Sequence, residues 1–225
     1  MYNRITCAIH QPNFFPRLST LTKLYAADVW VVLDDVQFNA RDFQHRAWLV
    51  SPDGAQAQWL SVPIHRPFGR STQIREVLLA EPVKASRRVT QLVRDYYGRS
   101  PWWPLLVGPV EQVAVSLAAG SWLADVAEAS TLALLDVLGW QGRVVRSSSL
   151  DARQDRSLRL ADLSSAVGAD AYLCGTGGAK YLDVEPFKAQ GIEVRYFTPP
   201  VPGSAGTKTS SLHRLAQLGI AAVTQ

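Results

Sequence analysis

Ile5-Thr6-Cys7-Ala8-Ile9-His10-Gln11-Pro12-Asn13-Phe14-Phe15-Pro16, continued by Leu18 to Ala27 and by Val29-Trp30-Val31-Val32-Leu33, is the stretch that decides the fold. Ile5 to Ile9 is a run of small and β-branched residues and reads as a strand. Leu18, Leu21, Leu24 and Tyr25 recur at helical spacing. Val29 to Leu33 is apolar without interruption, which suits a strand covered on both faces. A strand, helix, strand order of this length is a βαβ unit. It sets the two strands parallel and brings both C-terminal ends to one edge. Ligands of open α/β sheets gather at that edge.

Both strands end in polar clusters. The first stops at His10, Gln11 and Asn13, set between prolines that stiffen the backbone. The second stops at Asp34-Asp35-Val36-Gln37. His10 is the candidate proton-transfer group, because its ordinary pKa lies near neutrality. Adjacent aspartates on extended backbone point to opposite sides, so only one of Asp34 and Asp35 faces a given site. That carboxylate would orient a substrate amine, or hold magnesium through waters. Gln11, Asn13 and Gln37 supply hydrogen bonds. His45 and Arg46 add contacts, Arg46 being suited to a carboxylate or phosphate.

Outward from this unit, Trp48 to Val50 and Trp59 to Ile64 flank the turn Ser51-Pro52-Asp53-Gly54 and read as a hairpin. From Lys84 to about Trp140 the pattern is helical, broken at Pro101-Trp102-Trp103-Pro104 and closed by Gly139. Strands then return at 142–146, 171–174 and 192–197, with helices at 155–167 and 212–218. The prediction is one three-layer α/β domain over 1–225, with a mainly parallel sheet and a helical insertion at about 84–140.

The strand at 171–174 enters Gly175-Thr176-Gly177-Gly178, where missing side chains let backbone amides approach an anion. Lys180 and Tyr181 follow as further anion contacts. Cys174 opens the loop and is either an activated nucleophile or a small buried residue. Pro199 to Gly206 is long and irregular, in keeping with a mobile cover. Thr209-Ser210-Ser211-Leu212-His213-Arg214 then opens a helix with hydroxyls at its positive end.

IHQPNFFP at 9–16, AADVWVVLDDVQF at 26–38, FQHR at 43–46 and YLCGTGGAKYLD at 172–183 together resemble the WbqC-like family of bacterial proteins. The resemblance spans nearly the whole chain. It implies a biosynthetic enzyme, a group transferase, encoded among genes for O-antigen sugars or specialised metabolites such as antibiotics. Relatives often have serine at the position of Cys174, and an aspartate near that of His213. The 209–214 segment is also similar to the Ser-Ser-Thr-x-x-Arg segment that grips ATP phosphates in nucleotidyltransferases of the HUP superfamily. That fold shares the order strand, His turn, helix, Ala-Asp, buried strand. Those enzymes carry a second His where this chain has Asn13.

With 225 residues, of which 47% are hydrophobic and 19% charged, the chain can bury a full core. Its net charge of +4 is spread along the sequence, with clusters only at Arg87-Arg88 and Arg153 to Arg159. A nucleic-acid surface would be denser, so an anionic or carrier-bound small substrate is the expected partner, not nucleic acid. Two cysteines make neither a disulfide framework nor a zinc spacing. With no signal-peptide pattern and no membrane-length apolar run, a cytoplasmic location is expected. The cofactor and the oligomeric state are left open.

The leading expectation is transfer of an acyl or aminoacyl-type group to an amine-bearing or sugar-derived substrate. His10 would move the proton, Asp34 or Asp35 orient the amine, and the glycine amides stabilise developing charge. An ATP-using nucleotidyltransferase or ligase, with Ser210, His213 and Arg214 on the phosphates, is the alternative. A non-catalytic binding subunit is the third reading.

Overall fold

The computed structural model describes residues 4–178, 180–200 and 207–224. Strand β1 (Thr6–His10), helix α1 (Leu18–Tyr25) and strand β2 (Val29–Val32) form the expected βαβ unit. Its strands are parallel, with Cys7 opposite Val29 and His10 opposite Val32. The hairpin β3 (Arg46–Val50) and β4 (Ala57–Ser61) follows, then the short ribbon β5 (Ile64–His65) and β6 (Leu78–Leu79). Helices α2 (Pro82–Tyr97), α3 (Trp103–Ala119) and α4 (Leu123–Val137) occupy the stretch read as a helical insertion. The chain then alternates through β7 (Arg143–Arg146), α5 (Arg156–Ala166), β8 (Ala171–Cys174), α6 (Glu185–Ala189) and β9 (Glu193–Tyr196). Helices α7 (Ser211–Leu218) and α8 (Ala221–Thr224) close it.

Five strands form one fully parallel sheet in the order β7-β2-β1-β8-β9. The order reverses between β1 and β8, and that reversal is the topological switch point of the sheet. Alternation along each strand supplies two cores. Ala8, Trp30, Val32 and Leu173 face the layer that includes α1, α2, α3, α4 and α7. Cys7, Ile9, Val29, Val31, Tyr172 and Cys174 face the layer of α5 and α6. Helices therefore cover both faces, and this is the three-layer α/β fold.

The break read at Pro101 to Pro104 falls at the junction between α2 and α3. Pro104 sits in the first turn of α3, where no backbone N–H is required. Pro109 lies inside α3 and is buried. Gly139, just past α4, takes φ 77° and ends that helix as expected. The expected mobile cover falls largely at 201–206, outside the described residues.

The segment joining β1 to α1 is bonded from several directions. Phe15 has φ 42°, a left-handed conformation rare for an aromatic residue. Its N–H donates to Ser130 Oγ (2.9 Å), and its carbonyl accepts from Ser210 Oγ (2.9 Å). Phe14 N–H donates to the Phe43 carbonyl (2.9 Å) and Ser211 N–H to the Pro16 carbonyl (2.8 Å). The Asn13 carbonyl accepts from Thr131 Oγ1 (3.0 Å). Ser210 also caps α7, accepting from Leu212 N–H (3.3 Å). Ser210→Ala removes the cap and the Phe15 bond together and should cost about 1–3 kcal/mol. Urea denaturation of the variant measures this; an unchanged midpoint would mean that the turn does not depend on Ser210.

Candidate functional site

The C-terminal ends of β1 and β8 open into a cavity of about 660 Å³ at the switch point. From β1 come His10 and Gln11; from the segment after β2 come Asp35, Val36 and Gln37; from the loop after β8 come Gly175, Thr176, Gly177 and Gly178. The tertiary structure thus gathers three separate sequence clusters: the two that the βαβ reading put at one edge, and the glycine loop that β8 brings beside them. Phe197 and Pro199, after β9, complete one wall.

The most consequential lining groups were not singled out from the sequence. Arg17, Thr20 and Lys23 project from the start and one side of α1, and Arg156 and Arg159 from the first turns of α5. The i, i+3 spacing of each set was the available signal. Four cationic side chains, Arg17, Lys23, Arg156 and Arg159, surround the cavity, and Asp35 is the only carboxylate in its lining among the described residues. Asp35 is already engaged. It accepts from Arg159 (2.6 Å) and from the Ser147 hydroxyl. Burial pushes its pKa up, but those two partners outweigh burial and hold it below the ordinary carboxylate value.

Lys23 is 5% exposed, and its one hydrogen bond among the described residues is to the Ile9 carbonyl, at 3.3 Å. Among the described residues no carboxylate pairs with it, and burial lowers its pKa to about 8 from 10.5. The buried Nε atoms of Arg17 and Arg159 have no hydrogen-bond partner among the described residues. Buried cationic donors without acceptors are expensive unless a ligand supplies the acceptors. The α5 N-terminus is not free to do the binding, because Asp155 caps the amides of Ser157 and Leu158. Arg156 instead reaches over the Tyr181 ring (5.5 Å).

His10 takes a different role from the one expected. Its Nδ1–H donates to the Gln11 carbonyl (2.8 Å). Burial, aided by Lys23 and Arg17, drives its pKa down to about 3. The imidazole is neutral at working pH, with Nε2 an acceptor, so it is neither a ready proton donor nor a strong base. Gln11 Oε1 accepts from Gln44 Nε2 (2.7 Å), which fixes the Gln11 side chain at the rim. Gln37 Nε2 donates to the Arg70 carbonyl (2.6 Å) and forms a second wall.

Asp34 and Asp35 diverge as extended geometry demands, and Asp34 is the buried one. It accepts from Ser147 Oγ (3.1 Å), Ser148 N–H (3.0 Å) and Ser148 Oγ (2.7 Å), and does not line the cavity. It ties the end of β2 to the turn after β7 and does not reach the cleft. Cys174 also lies outside the cleft lining. It is buried beneath the glycine loop, with Sγ 3.5 Å from the Gly175 carbonyl, and burial raises its pKa. A Cβ at Gly178 would lie 3.0 Å from that sulfur, so any larger residue there would have to shift the Cys174 side chain by a few tenths of an ångström.

The remaining expected contacts lie elsewhere. Asn13 is buried behind the turn, against Ser130 and Thr131. His45 packs edge-on against Phe38 (5.4 Å), and burial lowers its pKa to about 4. Arg46 folds back onto the carbonyls of Arg41 and Asp42 and over Trp59. Lys180 and Tyr181 are exposed and outside the lining. Ser210 is spent on the Phe15 carbonyl, His213 Nδ1–H on the Val50 carbonyl (3.0 Å), and Arg214 on Gln217 (3.1 Å). The 209–214 segment therefore does not reach the switch point and grips no phosphate there.

Two linkage effects follow. Below pH 8 Lys23 is protonated in both the folded and unfolded chain, and its desolvation burdens the folded state in full. Between pH 8 and 10.5 the folded protein releases the proton first and the burden fades. Lys23→Met should therefore stabilise the protein near pH 7 by about 3 kcal/mol, an advantage that shrinks toward pH 10.5 in urea titrations. Histidine works in the same direction at lower pH: His10 and His45 stay neutral in the fold while the unfolded chain gains protons below 6.5. Stability should fall as pH drops from 6.5 toward 4, and less steeply in His45→Gln. Parallel pH curves for wild type and His45→Gln would refute the second effect.

The model of the WbqC-like protein family matches residues 11–203. A curated relative, the uncharacterized protein Rv1507c of Mycobacterium tuberculosis (strain ATCC 25618 / H37Rv), is 24% identical over 202 residues, covering 84% of this chain and 80% of its own. No solved structure matches the chain at a significant level. The family match takes in Gln11, the end of β2 and the glycine loop, all of which meet at the switch point, and the chain belongs to the WbqC-like protein family.

Proposed function

We propose that this chain is a biosynthetic group-transfer enzyme whose donor or acceptor carries a phosphate or carboxylate held at the switch point. The observation that carries this reading is the charge of the cleft: four cations against one carboxylate, with two guanidinium Nε atoms lacking acceptors. A scaffold surface has no use for buried, unmatched donors inside a concave site.

Acyl or aminoacyl-type transfer to an amine suits the groups present. The acceptor amine attacks the donor carbonyl, the new C–N bond forms, and the bond to the leaving group breaks. Lys23, whose pKa near 8 leaves a neutral fraction of its amine at mildly alkaline pH, is the group in the cleft suited to take the proton the acceptor amine sheds. Arg156 and Arg159 meet the negative charge of the leaving group. His10 accepts a hydrogen bond from the substrate through Nε2. A cytoplasmic place for this chemistry accords with the absence, among the described residues, of a helix long and apolar enough to cross a membrane.

A second reading, a nucleotide-using enzyme, is favoured by the strand order β7-β2-β1-β8-β9, an arrangement in which phosphorylated ligands sit at the order reversal. The phosphates would then rest on Arg17, Lys23, Arg156 and Arg159, not on the 209–214 segment. Calorimetry and thermal shift with ATP, CTP and coenzyme A, with and without magnesium, test both readings. Binding of one of these should weaken at least tenfold in Arg156→Ala and Lys23→Met, about 1.4 kcal/mol, and persist in Arg214→Ala. ATP or CTP binding would favour the nucleotide reading, and coenzyme A binding acyl transfer. If inorganic pyrophosphate and all three ligands leave the protein unmoved, the anionic-site reading is wrong.

A further inference from the structure

Beside the switch-point cleft lies a second, more open cavity of about 510 Å³, and Gln37 lines both. Three arginines, Arg41, Arg66 and Arg70, line this second cavity together with Gln37, Phe38 and Asn39, and among the described residues no carboxylate does. None of the three arginines forms an ion pair among the described residues. Three exposed guanidiniums around one depression give it a positive potential, which an anion entering it would meet.

The backbone beneath them is built and cross-braced. Gln37 Nε2 donates to the Arg70 carbonyl (2.6 Å), and Phe38 N–H to the carbonyl of fully buried Thr72 (2.9 Å). Thr72 Oγ1 accepts from Phe68 N–H (3.0 Å), and Gly69, at φ 58°, turns the chain between Arg66 and Arg70. On the other side Arg41 N–H donates to Asn39 Oδ1 (3.0 Å), while the Arg41 carbonyl accepts from Arg46. The arginines thus rise from two segments, 37–41 and 66–72, bonded to each other at their bases.

We infer that the Arg41, Arg66 and Arg70 cavity is a second anion subsite, taking a phosphate at the far end of an elongated small molecule whose reacting end lies at the switch point. The inference rests on the reading of the switch-point cleft as an anion site, and extends it to the substrate class: a molecule with two separated anionic groups that passes Gln37. A guanidinium trio matches a phosphate dianion better than a carboxylate, because three planar forks can address three oxygens. The first anion, once bound, raises the effective concentration of the second.

The test combines crystals of the full chain soaked in tungstate with calorimetry on a series of α,ω-alkanediol bisphosphates of increasing length, inorganic phosphate being the reference. Tungstate should occupy both cavities. Bisphosphate affinity should rise about tenfold or more over inorganic phosphate at a matching length. In R66A/R70A that gain should vanish while inorganic phosphate binding at the switch point persists. Both variant positions are exposed, and circular dichroism and the urea midpoint confirm that the fold is retained. Tungstate at the switch point alone, or bisphosphates binding no better than phosphate at every length, would overturn the inference and leave the cleft reading standing. Tungstate at the arginines with R66A/R70A leaving bisphosphate affinity unchanged would mark an adventitious ion only. No anion bound at the switch point would overturn both readings.

Discussion

At Phe15 the chain leaves the first strand through a left-handed backbone conformation, and the rest of the structure depends on how that turn is held. A φ of 42° for a bulky residue costs on the order of 1 kcal/mol. Ser130 from α4 and Ser210 at the cap of α7 bond its N–H and carbonyl. Phe43, before the hairpin, bonds the residue preceding it, and Ser211 the residue following it. Elements far apart in sequence are thereby tied to one point beside the switch point. The geometry of His10 and Gln11 follows, because they sit between that anchored turn and the central strand.

A second constraint runs against stability. The protein gathers Arg17, Lys23, Arg156 and Arg159 around one cleft and answers them with a single carboxylate, Asp35, already paired with Arg159. Asp34, which could have balanced another cation, is buried and turned onto Ser147 and Ser148. The lowered pKa values of Lys23 and Arg17, both caused first by burial, record what that arrangement costs. Such cost is retained where a site needs its donors unoccupied until a ligand arrives. Burial, with Lys23 and Arg17 adding to it, likewise keeps the His10 imidazole neutral, an acceptor through Nε2.

Much of the architecture was legible because its signals are local. The apolar runs at 5–9, 29–33 and 171–174, the helical period at 18–25 and the glycine at 139 each report on backbone within a few residues. Asn13, His45, Arg46, Lys180 and the 209–214 segment were misplaced for one shared reason. A polar residue near a strand end or helix start looks the same in sequence whether it faces a ligand or bonds its own backbone. Ser210 shows the ambiguity most clearly, since a helix cap and a phosphate grip use the same hydroxyl. Arg17, Lys23, Arg156 and Arg159 were overlooked because, on amphipathic helices, their spacing matches that of ordinary solvated charge.

The sequence by itself determined the parallel βαβ core, the edge at which a site must lie, and three of the segments that meet there, since hydrophobic period and chain length suffice for those. Only the tertiary structure decided which side chains turn into the cleft. The sheet order that sets β8 against β1, and with it the glycine loop beside Lys23, arises from packing between distant segments. So do the burial that neutralises His10 and the serines that take Asp34 out of the site. Charge and burial in a cleft are properties of neighbours brought together by folding, and no local pattern of residues encodes them.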